Sequence, residues 1–105
     1  MPLLSRMNES ERNRWTAGIR EEFESLCQRV NALAAAVQQS SPGVEPARKE
    51  RVTYLQSLVR KARQSFAAVE RADAKAWPDL ATVSKQVVEE LRAEVAKEEQ
   101  ETGQG

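Results

Sequence analysis

Two unbroken runs of seven-residue spacing constrain this chain more than any other feature. Ile19, Phe23, Leu26, Val30, Leu33 and Val37 follow one another at alternating steps of four and three. Val52, Leu55, Val59, Ala62, Phe66 and Val69 do the same, and Leu58 widens their face. Such spacing puts each run on one seam of an α-helix and does not fit the two-residue alternation of a half-buried strand. A heptad seam also needs a facing helix to cover it, so the chain has to fold by helix packing. With 105 residues there is room for one small domain of this kind.

The helix limits follow from local chemistry. Asn8 offers a side-chain oxygen to free amides, and Glu11 can return a hydrogen bond to Asn8, as in a capping box. The first helix is therefore expected from about Glu9 to Gln39, with Gly18 inside it costing ~1 kcal/mol against Ala. Ser40, Ser41, Pro42 and Gly43 punctuate the chain, and Pro46 suits the first turn of a second helix reaching about Ala76. Trp77-Pro78-Asp79-Leu80 is the next joint. Pro78 cannot continue the backbone ladder, Arg71 and Lys75 suit a helix end, and Asp79 suits a helix start. A third helix from Pro78 to about Glu99 would carry Leu80, Val83, Val87, Leu91 and Val95 on its stripe, with Val88 beside it.

The expected fold is thus all-α: an antiparallel three-helix bundle with coiled-coil-like heptad packing. The competing architecture is a helical hairpin with a long kinked second helix, because Ala76, Leu80, Val83 and Val87 stay in phase with the second seam. Residues 1–8 read as a flexible lead-in, 9–99 as a single helical-bundle domain, and 100–105 as a disordered tail rich in Glu, Gln and Gly.

The chain lacks most of the means for catalysis. It has no histidine, the commonest general base and metal ligand. Cys27 is the single cysteine, so there is no disulfide framework and no base to activate the thiol; beside Leu26 it reads as a small half-buried hydrophobe. The glutamates of the Glu21–Glu24, Glu89–Glu94 and Glu98–Glu101 clusters lie away from the apolar stripes, where nothing perturbs their pKa. The four glycines are scattered and form no phosphate loop. A non-enzymatic protein without cofactor or metal is expected.

Charge is balanced overall, with sixteen basic and sixteen acidic residues. It is uneven along the chain: residues 46–77 carry eight basic against three acidic side chains, and residues 78–105 carry three against seven. An acidic helix folded back beside a basic one accounts for this by internal complementarity. The alternative is a basic second helix that contacts nucleic acid through Lys49, Arg60, Lys61 and Arg63; zero net charge and the scarcity of aromatics in that cluster, where Tyr54 stands alone, argue against it.

No run approaches the ~20 apolar residues of a membrane span, and the opening residues lack the apolar core of a signal peptide, so a cytoplasmic protein with no membrane partner is expected. The function expected is protein–protein interaction as an adaptor, scaffold or chaperone-like bundle, with another protein or with itself as a homodimer. At 1.5 Å per residue the helices would measure about 46, 45 and 32 Å, so the third would stop short of the Ser40–Pro46 tip. Leu33, Val37, Val52 and Leu55 would then lie uncovered as a partner-binding patch.

Overall fold

The computed structural model describes residues 7–39 and 46–101. They form three helices, α1 (Glu9–Gln39), α2 (Pro46–Arg71) and α3 (Trp77–Glu101), packed pairwise into a bundle. The kinked-hairpin alternative is thereby excluded. The loop expected at residues 40–45 lies outside the described residues, as do 1–6 and 102–105.

The start of α1 is the reciprocal cap expected from its sequence. Asn8 Oδ1 accepts from the Glu11 amide at 2.8 Å, and Glu11 Oε1 accepts from the Asn8 amide at 3.1 Å. Met7 takes part as well: its carbonyl accepts from the Arg12 guanidinium at 3.0 Å, and its side chain packs against a buried cluster. These residues, assigned by composition to the lead-in, therefore belong to the folded unit.

The joint between α2 and α3 lies earlier than propensity places it. α2 ends at Arg71, because Asp73 competes for the following amides. Its carboxylate accepts from Ala76 N–H at 2.8 Å and its carbonyl from Trp77 N–H at 2.9 Å. The Ala76 carbonyl then accepts the first bond of α3, from Leu80 at 3.3 Å. Pro78 sits in that first turn, where a missing amide hydrogen leaves no ladder bond unmade.

Trp77 is buried and meets Trp15 of α1 edge to face, with ring centroids 5.4 Å apart. Anchoring α3 at this point sets its rotation. Counting from Trp77 in steps of four and three, the positions turned inward are Ala81, Ser84, Val88, Leu91, Val95 and Glu98, all buried. The expected stripe differs at the helix start: Leu80 is half-buried and Val83 is 45% exposed, while Val87 joins the core. One position of helix is about 100° of rotation, enough to exchange Leu80 and Val83 for Ala81 and Ser84.

The core is consequently in two parts. The larger joins Phe23 to Leu33 of α1, Val52 to Phe66 of α2 and Val87 to Val95 of α3, with Phe23 and Phe66 rings 5.2 Å apart. The smaller joins Val69, Trp77 and Ala81, backed by Met7, Trp15, Ala72 and Leu80. Along α3, Ser84 falls between the two, and its hydroxyl is buried with no hydrogen-bond partner. An unsatisfied buried hydroxyl costs about 1–3 kcal/mol. Ser84→Ala is therefore expected to raise the midpoint of urea unfolding, by about 1 kcal/mol or more in stability. Gly18→Ala is expected to add ~1 kcal/mol, because a Cβ there meets nothing within 4 Å and the helix gains propensity. A loss of stability in both variants would contradict this packing.

Candidate functional site

The four residues expected at an uncovered tip are placed together, but inside the bundle. Leu33, Val52 and Leu55 are buried in the larger core, and Val37 is half-buried against it. The length argument gives way at both ends of the turn: α2 is shorter than expected and α3 longer, at 26 and 25 residues. α3 thus reaches the level of Arg51. There Glu98, 4% exposed, closes the last inward-facing position and accepts from the Arg51 guanidinium at 3.3 Å. Gln100 and Glu101, assigned by composition to the tail, continue α3.

Glu22 of the first glutamate cluster and Glu98 and Glu99 of the last are drawn into ion pairs between helices, whereas Glu89 pairs with Lys85 within α3. Arg29 of α1 donates to Glu99 of α3, with Nε 2.9 Å from Oε2 and a second bond through its terminal nitrogen. Arg92 of α3 pairs with Glu22 of α1, and Arg20 of α1 with Glu70 of α2. Exposed pairs of this sort each contribute ~0–1 kcal/mol, but together they specify which helices face each other. The fork of hydrogen bonds from Arg29 holds the Glu99 carboxyl below the usual carboxylate range, and reciprocally raises Arg29.

The four basic residues of α2 do not converge. Lys49 and Arg60 are exposed on the outer side of the helix. Arg63 borders a groove of about 340 Å³ between α1 and α2, over the Phe23 and Phe66 rings and beside Cys27. Lys61 stands seven residues beyond Tyr54, on the side next to α3. Among the described residues, Arg51 of α2 is tied to the acidic helix through Glu98, whereas Lys49, Arg60 and Lys61 are not, so the expected complementarity is not realised along the whole contact.

Cys27 is half-buried in the α1–α2 groove. Burial pushes its thiol up, with Arg63 acting in the opposite direction, so the thiol stays protonated near neutrality. Among the described residues, no group of three or more acidic or thiol side chains is gathered to hold a metal ion.

Sequence reasoning missed the two large apolar side chains left exposed among the described residues. Tyr54 of α2 and Val83 of α3 are each 45% exposed. They share one face. Tyr54 Oη donates to Glu90 of α3 at 3.1 Å, which raises the phenol's pKa, and Glu90 stands seven residues after Val83. The α1-facing side of α3 is a different one, carrying Arg92 and Glu99. The signal was present in the sequence: heptads counted from Trp77 leave Val83 outside. Among the described residues no helix is long and apolar enough to cross a membrane.

The fold and its surfaces define an all-α three-helix bundle whose buried residues recur at heptad spacing. No protein-family model matches the chain, and no curated protein or solved structure matches it either.

The Glu99 pair gives a pH signature. A carboxyl with a lowered folded pKa stabilises the fold above its unfolded value, about 4.3, and that contribution disappears as pH falls through the folded value. Glu99→Gln is expected to lose less stability than the wild type between about pH 5 and pH 3 in denaturant titrations. Parallel acid limbs for the two proteins would remove Glu99 from this role.

Proposed function

We propose that the chain is a non-enzymatic interaction module of the cytoplasm, an adaptor, scaffold or chaperone-like bundle that binds another protein or itself. One observation carries the reading: the large apolar side chains left exposed among the described residues, Tyr54 and Val83, stand on the same α2–α3 face. Solitary surface apolar groups are ordinary, whereas grouped ones mark contact surfaces. The carboxylates support the reading by their placement, since several stand opposite arginines in interhelix pairs. A single unpaired-thiol cysteine suits a reducing compartment.

The test is affinity capture from the native cell with two baits, wild type and Val83→Glu. A protein retained by the first and lost from the second, with unchanged circular dichroism, is the expected outcome. Equal retention by both baits would contradict the α2–α3 face as the binding surface.

A second reading, binding of nucleic acid, is favoured by one specific feature. Among the described residues, Lys49, Arg60 and Lys61 are exposed and have no acidic partner. Phosphate contacts by such residues make affinity fall steeply with salt. In anisotropy titrations of labelled DNA and RNA duplexes at low salt, the expected result is binding weaker than micromolar. Micromolar or tighter binding that collapses with salt, and is lost in a triple Arg60→Glu, Lys61→Glu, Arg63→Glu variant, would place this reading first.

A further inference from the structure

We infer that the α2–α3 face is a self-association surface, on which α2 of one protomer lies against α3 of its partner about a two-fold axis parallel to the helices. The inference rests on the interaction reading above and names the partner as a second copy of this chain.

The surface is defined by what α1 leaves open. α1 packs against the side of α3 that carries Arg92 and Glu99, and against the side of α2 that carries Glu70. The opposite side runs through Tyr54 and Lys61 on α2, and through Val83 and Glu90 on α3, each pair seven residues apart. Lys61 and Glu90 are both exposed and form no ion pair with each other or with any other described residue. The face thus carries Lys61 on α2 and Glu90 on α3 near its middle, Glu50 on the α2 edge and Lys97 on the α3 edge nearer one end, and apolar groups on both.

Charge selects the occupant and its orientation. The whole chain carries no net charge, so a copy of itself matches both edges, whereas a polyanion matches α2 and is repelled by α3. Closed dimers join the same patch on both subunits, and two axes are open to this one. An axis across the helices sets α2 on α2 and α3 on α3, so that Lys61 of one protomer does not meet Glu90 of the other. An axis along the helices sets α2 on the partner's α3, running antiparallel, with opposite charges facing at both edges.

The register agrees with that choice. Arg51, Leu55, Glu94 and Glu98 border one small recess between α2 and α3, which places Leu55 level with Glu94. Six residues further along the antiparallel pair, Lys61 is level with Val88, two residues from Glu90. A two-fold axis along the helices preserves levels, so the partner's Lys61 arrives within about 3 Å of the level of Glu90, and the same contact recurs a second time by symmetry. Val83, five residues the other way, meets the stretch of the partner's α2 where Ser65 and Ala68 are small enough to admit it.

Sedimentation equilibrium of the full chain tests this, because the arrangement makes a demand no structural role would make. The wild type is expected to dimerise reversibly. Val83→Glu is expected to be a monomer with unchanged helical circular dichroism. Lys61→Glu and Glu90→Lys are each expected to weaken association tenfold or more, since each reversal acts at two symmetric contacts. An equimolar mixture of these two variants is expected to recover a heterodimer near wild-type affinity, because one chain then carries glutamates and the other lysines at both contacts. A wild type still monomeric at about 1 mM would overturn the inference; the broader reading would then rest on the captured partner lost from the Val83→Glu bait. Dimerisation of Val83→Glu as tight as wild type would overturn the face. Two weak variants that fail to recover on mixing would overturn the α2-on-α3 arrangement.

Discussion

Trp77 standing edge-on to Trp15 is the contact from which the arrangement of α3 follows. A bulky ring buried at the first position of a helix leaves that helix little freedom to rotate. Everything downstream is then counted from Trp77: Ala81 and Ser84 turn inward, Leu91 and Val95 complete the larger core, and Glu98 closes the last turn. The same rotation turns Val83 out. The exposed apolar group on the α2–α3 face and the buried polar group in the core are therefore two results of one anchoring event. The edge-to-face geometry is the one that the aromatic quadrupole favours.

Electrostatics then fixes neighbours rather than supplying much stability. Arg29 with Glu99 and Glu22 with Arg92 tie α1 to α3 in parallel, while Arg20 with Glu70 and Arg51 with Glu98 bind antiparallel neighbours. Glu98 differs from the rest, since it occupies a buried position that an apolar residue would ordinarily fill. Removing Arg51 would leave that carboxylate without this partner at the end of the bundle, and an unpaired buried charge is costly. Arg51 is the basic residue through which α2 grips the acidic helix.

Much of the fold was legible in the sequence because it rests on short-range rules. The Asn8–Glu11 cap, the two seams and the start of a third helix beside Pro78 each depend on residues within a turn or two of one another. The end of α2 was not legible to propensity, because the Asp73 side chain ends the helix against a run of good helix formers, Ala72, Ala74 and Ala76. The phase of α3 was misread because Leu80 and Val83 are more apolar than Ala81 and Ser84, and hydrophobicity alone prefers them inside. The packing of Trp77 against Trp15, far earlier in the chain, decided otherwise. The tip was misjudged for the same reason: its cover depends on how far α3 extends, which follows from where α2 stops. On the surface, Lys61 and Arg63 stand two residues apart, about 200° round α2, and only the positions of α1 and α3 decide that Arg63 borders the α1 groove while Lys61 faces the other way.

The two pairs that hold α1 to α3, each spanning seventy residues of chain, have a further bearing on how the bundle assembles. α2 and α3 are joined by a turn of a few residues, so their contacts close short loops and come at small entropic expense. Every contact of α1 with α3 encloses the whole of α2. Assembly is accordingly asymmetric in time: the α2–α3 hairpin is the local nucleus, and α1 docks onto it as the long-range step that governs the rate.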